Sequence, residues 1–91
     1  MSEEVSGRWK VKRVSGLLPP FGVSKVIGLA NGVTRLLGIP VAAFKVVGNE
    51  FRYRALPVRD RVHPNGDGTY EGEGFLFGKR FCRFRLEPIP S

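Results

Sequence analysis

Arginine is the residue type in this chain whose placement is best suited to binding chemistry. Arg83 and Arg85 stand two positions apart in the strand-like segment 81–86, so both side chains point to one face of that strand. A guanidinium is a planar fork of donors that binds a carboxylate or phosphate through two hydrogen bonds. The alternative is cross-strand pairing with Glu71 and Glu73, which contributes little when it is exposed to solvent. The two arginines therefore predict either an anion site or an ordinary surface charge ladder.

No group of residues forms a catalytic or metal-binding pattern. His63 is the single histidine and Cys82 the single cysteine. His63 precedes Pro64 in a turn-rich stretch, which favours an exposed loop residue over a general base, a metal ligand or a haem ligand. Cys82 lies on the apolar face of its segment, as a buried and unreactive thiol would. We therefore expect a protein that is not an enzyme and that holds no metal or cofactor.

Aromatic side chains accompany the arginines in the second half of the chain. If these rings line an interior, they form a cavity for a small hydrophobic or anionic amphipathic ligand, whose head group would meet Arg83 and Arg85. If they lie on an open sheet face, they instead form a base-stacking platform for nucleic acid. Packing of an ordinary core is the alternative to both. The proposed ligand-binding rings are Tyr53, Phe75, Phe77 and Phe81.

The composition is that of a small, basic, single-domain protein. The 91 residues include 15 Lys and Arg against 8 Asp and Glu, a formal net charge of +7. Such a balance favours anionic partners, namely nucleic acid, acidic lipid surfaces, or carboxylate and phosphate ligands. The arginines are spread through the strands and form no dense basic arm, which makes nucleic acid the less favoured partner.

Targeting signals and membrane spans are not apparent. A single cysteine excludes an internal disulfide. The acidic start at residues 1–4 lacks the basic region of a signal peptide. The longest apolar stretch, residues 23–47, is interrupted by charged residues and a proline, so it predicts no membrane span. We expect a cytoplasmic protein.

The periodicity predicts a mainly β chain with one helical segment. Residues 1–5 are expected to be disordered and residues 6–91 to form one β domain. Alternating patterns indicate a strand at 6–15 and further strands from residue 41 onward. Between them, apolar residues spaced three and four apart after a potential capping serine predict a short helix over residues 24–37. Five or six strands result, which gives either a small antiparallel barrel or a half-barrel completed by dimerisation.

The closing hairpin has a specific predicted arrangement. A three-residue loop at 78–80 places Phe75 opposite Arg83, and Phe84 over the side-chain-free strip at Gly72 and Gly74. A slip of one residue would mix the two faces, so the pattern defines which side chains share a face. Which of the two faces lines the interior stays open at this point.

The two ends of the chain suggest how a barrel could close. Gly7-Arg8-Trp9 opens the first strand, and the last strand carries Arg83 and Arg85. Guanidinium groups are weakly hydrated and stack well on an indole ring. We therefore predict that Trp9 stacks on Arg83 and plugs one end of the barrel.

These terminal motifs resemble those of the calycins, the group that contains the lipocalins and the fatty-acid-binding proteins. There a Gly-x-Trp strand opens an up-and-down barrel, and a basic residue of the last strand packs across the tryptophan. Fatty-acid-binding proteins also place a helical lid after the first strand, where residues 24–37 lie in this chain. Their last strand holds a fatty-acid carboxylate with Arg-x-Tyr. This chain reads Arg83-Phe84-Arg85, so the arginine matches and the tyrosine does not.

The second half is also similar to short, lipocalin-like bacterial proteins with a Gly-x-Trp-x-Gly start. The similarity covers the aromatic segment at Tyr53, the stretch 57–62, a glycine-containing turn with an aspartate, and Phe-Cys-Arg-Phe-Arg-Leu-Glu at 81–87. Val11 stands in place of the second glycine of the opening motif. The resemblance implies a lipocalin-like barrel with a cavity for a fatty-acid-like ligand, and no reaction.

Overall fold

The chain folds into a closed, eight-stranded antiparallel barrel, described by a computed structural model over residues 5–90. Each strand pairs with the next along the chain, and the last pairs with the first. The predicted mainly β class is confirmed. The strands are β1 (Gly7–Gly16), β2 (Val23–Ile27), β3 (Asn31–Leu36), β4 (Ile39–Val47), β5 (Glu50–Tyr53), β6 (Val58–Pro64), β7 (Tyr70–Leu76) and β8 (Lys79–Pro88).

The predicted helix over residues 24–37 is wrong, because this segment forms the β2–β3 hairpin. Val23, Lys25 and Ile27 are buried while the residues between them are partly exposed, which is the alternation of a strand. The apolar spacing is helical because the middle inward position of β2 is a lysine, but the β-branched side chains favour the strand. Within residues 5–90 there is no helix that could cross a membrane.

The strand count also exceeds the predicted five or six. Residues 37–38, 48–49 and 77–78 form two-residue turns. Because the connections are so short, more of the chain is available for strands. Seven residue pairs join β1 to β8, so the sheet closes within one chain. A half-barrel completed by a second copy is therefore not the observed architecture, because closure leaves no free sheet edge.

Main-chain pairing closes the barrel, and the predicted Trp9–Arg83 stack is not formed. Trp9 lies opposite Pro88, whereas Arg83 lies opposite Ser15. Five residues of extended strand separate the two positions on β8, roughly 16 Å. The indole instead meets Tyr70 edge-on at 5.2 Å between ring centroids, and its Nε1 donates to the carbonyl oxygen of Val5 at 3.0 Å. Disorder was expected for residues 1–5, but Val5 is buried; residues 1–4 lie outside the described part.

Aromatic rings fill the barrel. Phe44 and Phe51 are fully buried and stack with centroids 4.7 Å apart. Glycines make room for such rings. A Cβ on Gly72 would lie 2.2 Å from Phe84, and one on Gly32 would lie 2.4 Å from Phe44. The narrow interior of an eight-stranded barrel is thus occupied by the protein's own side chains.

The closing hairpin has the predicted faces but a different register. Gly72 lies opposite Phe84 and Gly74 opposite Cys82, two positions away from the predicted pairing. The turn comprises residues 77–78, and a bulge follows Gly74. Beyond the bulge Phe75 lies opposite Arg80, so its predicted pairing with Arg83 is wrong. Between Tyr70 and Gly74 the shift is even and leaves each side chain on its face, so the packing of Phe84 over Gly72 is confirmed. This face lines the interior.

We expect Gly72→Ala to lower the free energy of unfolding by about 1–3 kcal/mol, because its methyl group overlaps the Phe84 ring. Urea denaturation of a double-mutant cycle with Phe84→Leu measures the effect. Gly72→Ala should lower the free energy of unfolding markedly less in the Phe84→Leu background, where the ring is absent. An equal cost in both backgrounds would contradict the proposed steric origin.

Candidate functional site

The one polar cluster inside the described barrel is built around Lys25. Its Nζ lies 3.1 Å from the Asp60 carboxylate and donates to the Thr34 hydroxyl at 2.7 Å and to the Tyr53 hydroxyl at 2.6 Å. The Tyr53 hydroxyl donates to Asp60 at 3.0 Å. Lys25 and Asp60 are both buried. All three ammonium protons therefore have partners, which a buried charge requires.

Aromatic rings surround the ammonium group. Its Nζ lies 5.0 Å from the centroid of Phe44 and 5.2 Å from that of Tyr53, with Phe51 and Phe84 each at 5.8 Å. The π faces of the rings add electrostatic attraction to the charge. The cage comes from inward positions of β2, β4, β5 and β8, and it is assembled only when the barrel closes.

The electrostatics make this cluster a poor nucleophilic site. Burial would lower the pKa of Lys25, but the Asp60 charge and the contacts with Tyr53 outweigh burial and raise that pKa above its usual 10.5. Burial raises the pKa of the Tyr53 hydroxyl above its usual 10.0, and this effect exceeds that of the Lys25 charge, which would lower it. Lys25 thus stays protonated and Tyr53 neutral near pH 7. A protonated lysine cannot form a Schiff base, so the contacts suit a structural role.

A small cavity of about 70 Å³ lies over this cluster. Pockets that hold drug-sized ligands typically enclose about 300–1,000 Å³. Of the predicted ligand-binding residues, Tyr53 and Phe81 line the cavity. The space suits a few atoms at most, far fewer than a fatty-acid chain.

The remaining predicted ligand residues lie outside the barrel. Phe75 is on the outer face, where the guanidinium carbons of Arg59 and Arg61 stand 5.7 and 5.6 Å from its ring centroid. Arg83 and Arg85 lie opposite Glu73 and Glu71 on the face away from the buried Phe84. The ion pairs are formed differently, by Arg85 with Asp67 at 3.6 Å and by Arg80 with Glu73 at 3.0 Å. Phe77 is at the exposed tip of the β7–β8 turn. The structure therefore brings these residues to the surface and not around a common cavity.

Comparisons with protein-family models, with curated proteins and with solved structures found no match for this chain. The likeness to lipocalins consequently stays an expectation from sequence motifs. Within residues 5–90, no three His, Cys, Asp or Glu side chains come together where they could hold a metal ion.

One end of the barrel is lined with exposed apolar side chains. In an up-and-down barrel alternate connections lie at the same end, so residues 17–22, 37–38, 54–57 and 77–78 share an end. We call it the apolar end. Large hydrophobic side chains stand exposed on or beside every one of these connections: Leu17, Phe21, Leu37, Ile39, Leu56 and Phe77.

The charges of the two ends are opposite. The four connections of the apolar end, taken with two strand residues on either side, include the bases Arg35, Arg52, Arg54, Arg59, Lys79 and Arg80 and no acid. Two of these bases pair with acids just outside the counted residues, Arg52 with Glu50 at 3.2 Å and Arg80 with Glu73 at 3.0 Å. The other end, which also contains the start of β1 and the end of β8, includes, when counted the same way, the acids Glu50, Asp67, Glu71 and Glu87 against the single base Arg8. The apolar end is thus also the positive end.

Two turns of the apolar end hold their apolar tips in a strained conformation. Leu37 has φ 51° and Phe77 has φ 50°, and each is followed by a glycine with positive φ. Such turns favour Asn, Asp or Gly at the first position, and the left-handed conformation costs other L-residues about 1–2 kcal/mol. Leu37 and Phe77 are nevertheless 71% and 79% exposed. Burial in the core therefore does not offset this strain.

Backbone hydrogen bonds join the connections of this end to one another. The Leu37 amide donates to the carbonyl of Gly22 at 2.7 Å, and the Phe77 amide donates to that of Pro57 at 3.0 Å. The Leu17 amide donates to the Phe81 carbonyl at 2.9 Å. These bonds tie residues 17–22 to 37–38 and to β8, and residues 54–57 to 77–78, so they preorganise the exposed side chains.

We expect Lys25→Met to lower the free energy of unfolding by about 3–5 kcal/mol, because it leaves Asp60 buried without its counter-charge. The double variant Lys25→Met/Asp60→Leu should recover most of this loss. Urea denaturation of the three proteins measures both values. A double variant less stable than Lys25→Met would show that the ion pair is not the source of the loss.

Stability should fall at alkaline pH through the same pair. The folded-state pKa of Lys25 lies above 10.5, so its contribution is complete below about pH 10.5 and is lost as pH rises through the folded value. Denaturation between pH 8 and pH 12 measures this dependence. The Lys25→Met/Asp60→Leu variant should show a shallower decline, and an equal decline in both proteins would contradict the assignment to Lys25.

Proposed function

We propose that this protein is a non-enzymatic lipid-binding protein that attaches to anionic membrane surfaces through its apolar end. The observation that supports the proposal most directly is the coincidence, at one end, of six exposed apolar side chains with six bases, only two of which, Arg52 and Arg80, pair with an acid within residues 5–90. Apolar groups enter the boundary between head groups and acyl chains, while bases are attracted to acidic lipids. The partner is an anionic amphipath, the class expected from the sequence, bound at the surface of the protein.

The interior gives less support to a ligand held within the barrel. The core rings Phe44 and Phe51 have no exposed surface, and the cavity over Lys25 has about 70 Å³. The three Lys25 protons already have protein partners, so none is left for a ligand carboxylate. A fatty-acid-like ligand inside the barrel would require the aromatic core to open.

The magnitudes are adequate for reversible membrane binding. Full burial of a Leu or Phe side chain contributes about 1.5–3 kcal/mol, and each base near an acidic bilayer adds about 1 kcal/mol. The hydrogen bonds between the connections limit the ordering entropy that binding would otherwise cost. Partial insertion of a few tips therefore suffices for a measurable partition coefficient.

Nucleic acid is the second candidate, supported by the basic row that crosses the outer face through Lys45, Arg52, Arg59 and Arg80. Phe75 lies in this row, but it is partly buried and has Arg59 and Arg61 over its ring. Binding of nucleic acid would explain why these bases lie in one row, but it would not explain the exposed leucines of the apolar end. We therefore favour the membrane, and nucleic acid is an outcome of the test.

We expect the protein to co-sediment with vesicles containing phosphatidylserine and to bind pure phosphatidylcholine vesicles weakly. Phe77→Asn and Leu37→Asn should each weaken vesicle binding about tenfold or more, because each removes an inserted apolar group. Asparagine tolerates the left-handed conformation, so Phe77→Asn should keep or raise the free energy of unfolding. This separates a binding role from a structural one.

Leu29→Asn is the matched control, since Leu29 is 77% exposed but lies in the connection 28–30 at the other end. Its vesicle binding should equal that of the wild type. A wild-type protein that ignores acidic vesicles but shifts single-stranded DNA, with affinity that falls steeply with salt, would favour nucleic acid instead.

A further inference from the structure

A surface depression of about 380 Å³ adjoins the apolar end. It is lined by Arg52, Leu56, Pro57, Val58, Arg59 and Gly78. Leu56 and Pro57 belong to the β5–β6 connection, and Gly78 to the strained turn that carries Phe77. The depression therefore combines two guanidinium groups with apolar side chains, next to the surface that we propose to enter the membrane.

Positive charge is in excess around this depression. Arg52 and Arg59 occupy directly opposite positions on β5 and β6, a like-charge pairing that is unfavourable in a sheet. Glu50 is the acid that balances them. Its carboxylate contacts Arg52 at 3.2 Å and Arg61 at 3.5 Å. Glu73 lies opposite Arg61 and pairs with Arg80 at 3.0 Å, so four arginines share two carboxylates, which leaves a surplus of two positive charges.

The pKa of Glu50 is lowered below its usual 4.5, first by the hydrogen bond from Arg52 and further by the charges of Arg52 and Arg59. The carboxylate is therefore ionised near pH 7, and the surplus of two charges already takes it into account. An additional anion would therefore meet uncompensated positive charge there.

The arginines are partly preorganised for such an anion. Arg59 makes no ion pair within residues 5–90, and its guanidinium lies over the Phe75 ring, 5.7 Å from the centroid. Arg52 uses its Nε for Glu50, so the fork of its two terminal nitrogens is not engaged by that contact. A phosphate group accepts hydrogen bonds from two such forks at once.

We propose that this depression binds the phosphomonoester head group of an anionic lipid, which would give the membrane attachment a head-group preference. The inference rests on the proposed function. A phosphomonoester carries a charge of about −1.5 to −2 near pH 7, which matches the surplus of two positive charges. Phosphatidylserine carries a phosphodiester, with one phosphate charge and fewer free oxygens. The position beside Leu56 and Phe77 favours a lipid over a soluble phosphate, because the acyl chains would lie where these side chains insert.

The test compares two kinds of vesicle with matched surface potential, one containing phosphatidic acid and the other phosphatidylserine. We expect the wild type to bind the phosphatidic acid vesicles about tenfold more tightly, the size expected for added charge-assisted hydrogen bonds. Arg52→Gln/Arg59→Gln should abolish this preference while keeping weaker binding to both. Its fold should persist, since the change relieves a like-charge pair; circular dichroism and urea denaturation verify this.

Arg8→Gln/Lys10→Gln is the matched control, because it removes the same charge from exposed positions of β1 toward its first residues, away from the depression. It should keep the preference for phosphatidic acid. Equal wild-type binding to both vesicles, or a preference that survives Arg52→Gln/Arg59→Gln, would overturn the head-group site while the proposed function stands. No binding to either vesicle would refute the proposed function itself.

A soluble phosphomonoester distinguishes the source of the phosphate. Titration with glycerol 3-phosphate, followed by the NMR signals of the arginine Nε–H groups, should show shifts at Arg52 and Arg59 with an affinity much weaker than that for phosphatidic acid vesicles. Binding of glycerol 3-phosphate as tight as that of the lipid would overturn the assignment to a membrane head group.

Discussion

The filling of a narrow barrel by aromatic rings is the constraint on which the rest of the structure depends. Eight strands enclose little space beyond their own side chains. The rings of Phe44 and Phe84 fit because Gly32 and Gly72 present no Cβ toward them. Dense packing leaves no room for a lipid chain in the described barrel. The surface that remains available for binding is the outside of the barrel and its two ends.

The same filled interior explains how a lysine can be buried at its centre. Lys25 is inserted between Phe44 and Phe84 and meets Asp60 and two hydroxyl groups, so its charge and its three protons are all accommodated. In a low-dielectric interior such a cluster is stabilising only when it is complete. It joins the β2–β3 hairpin to β5 and β6, which are distant from that hairpin along the chain. This polar contact therefore belongs to the architecture and contributes no reactive group.

The proposed membrane-binding surface is the end of the barrel where two turn residues combine an unfavourable backbone conformation with exposed apolar side chains. Leu37 and Phe77 occupy turn positions that favour Asn or Gly, and both side chains remain in water. Conformational strain that no burial offsets is commonly found at functional sites. The bases at the same end and the acids at the other make the charge distribution of the barrel asymmetric along its axis. A charged membrane would orient the apolar tips toward itself before they insert.

Short-range patterns in the sequence were enough to determine the β class and, as far as the bulge after Gly74, the faces of the closing hairpin. These features follow from the alternation of apolar and polar residues and from the positions of glycine, which are properties of residues close together in the sequence. The predicted helix over the β2–β3 hairpin is wrong because the apolar spacing there is helical, whereas pairing with β1 and β4 places Lys25 at an inward strand position. The contact of Lys25 with Asp60, the separation of Trp9 from Arg83 and the gathering of apolar turns at one end were decided by the tertiary structure. Each depends on strand number and register around a closed barrel, and these are set by pairing between distant segments.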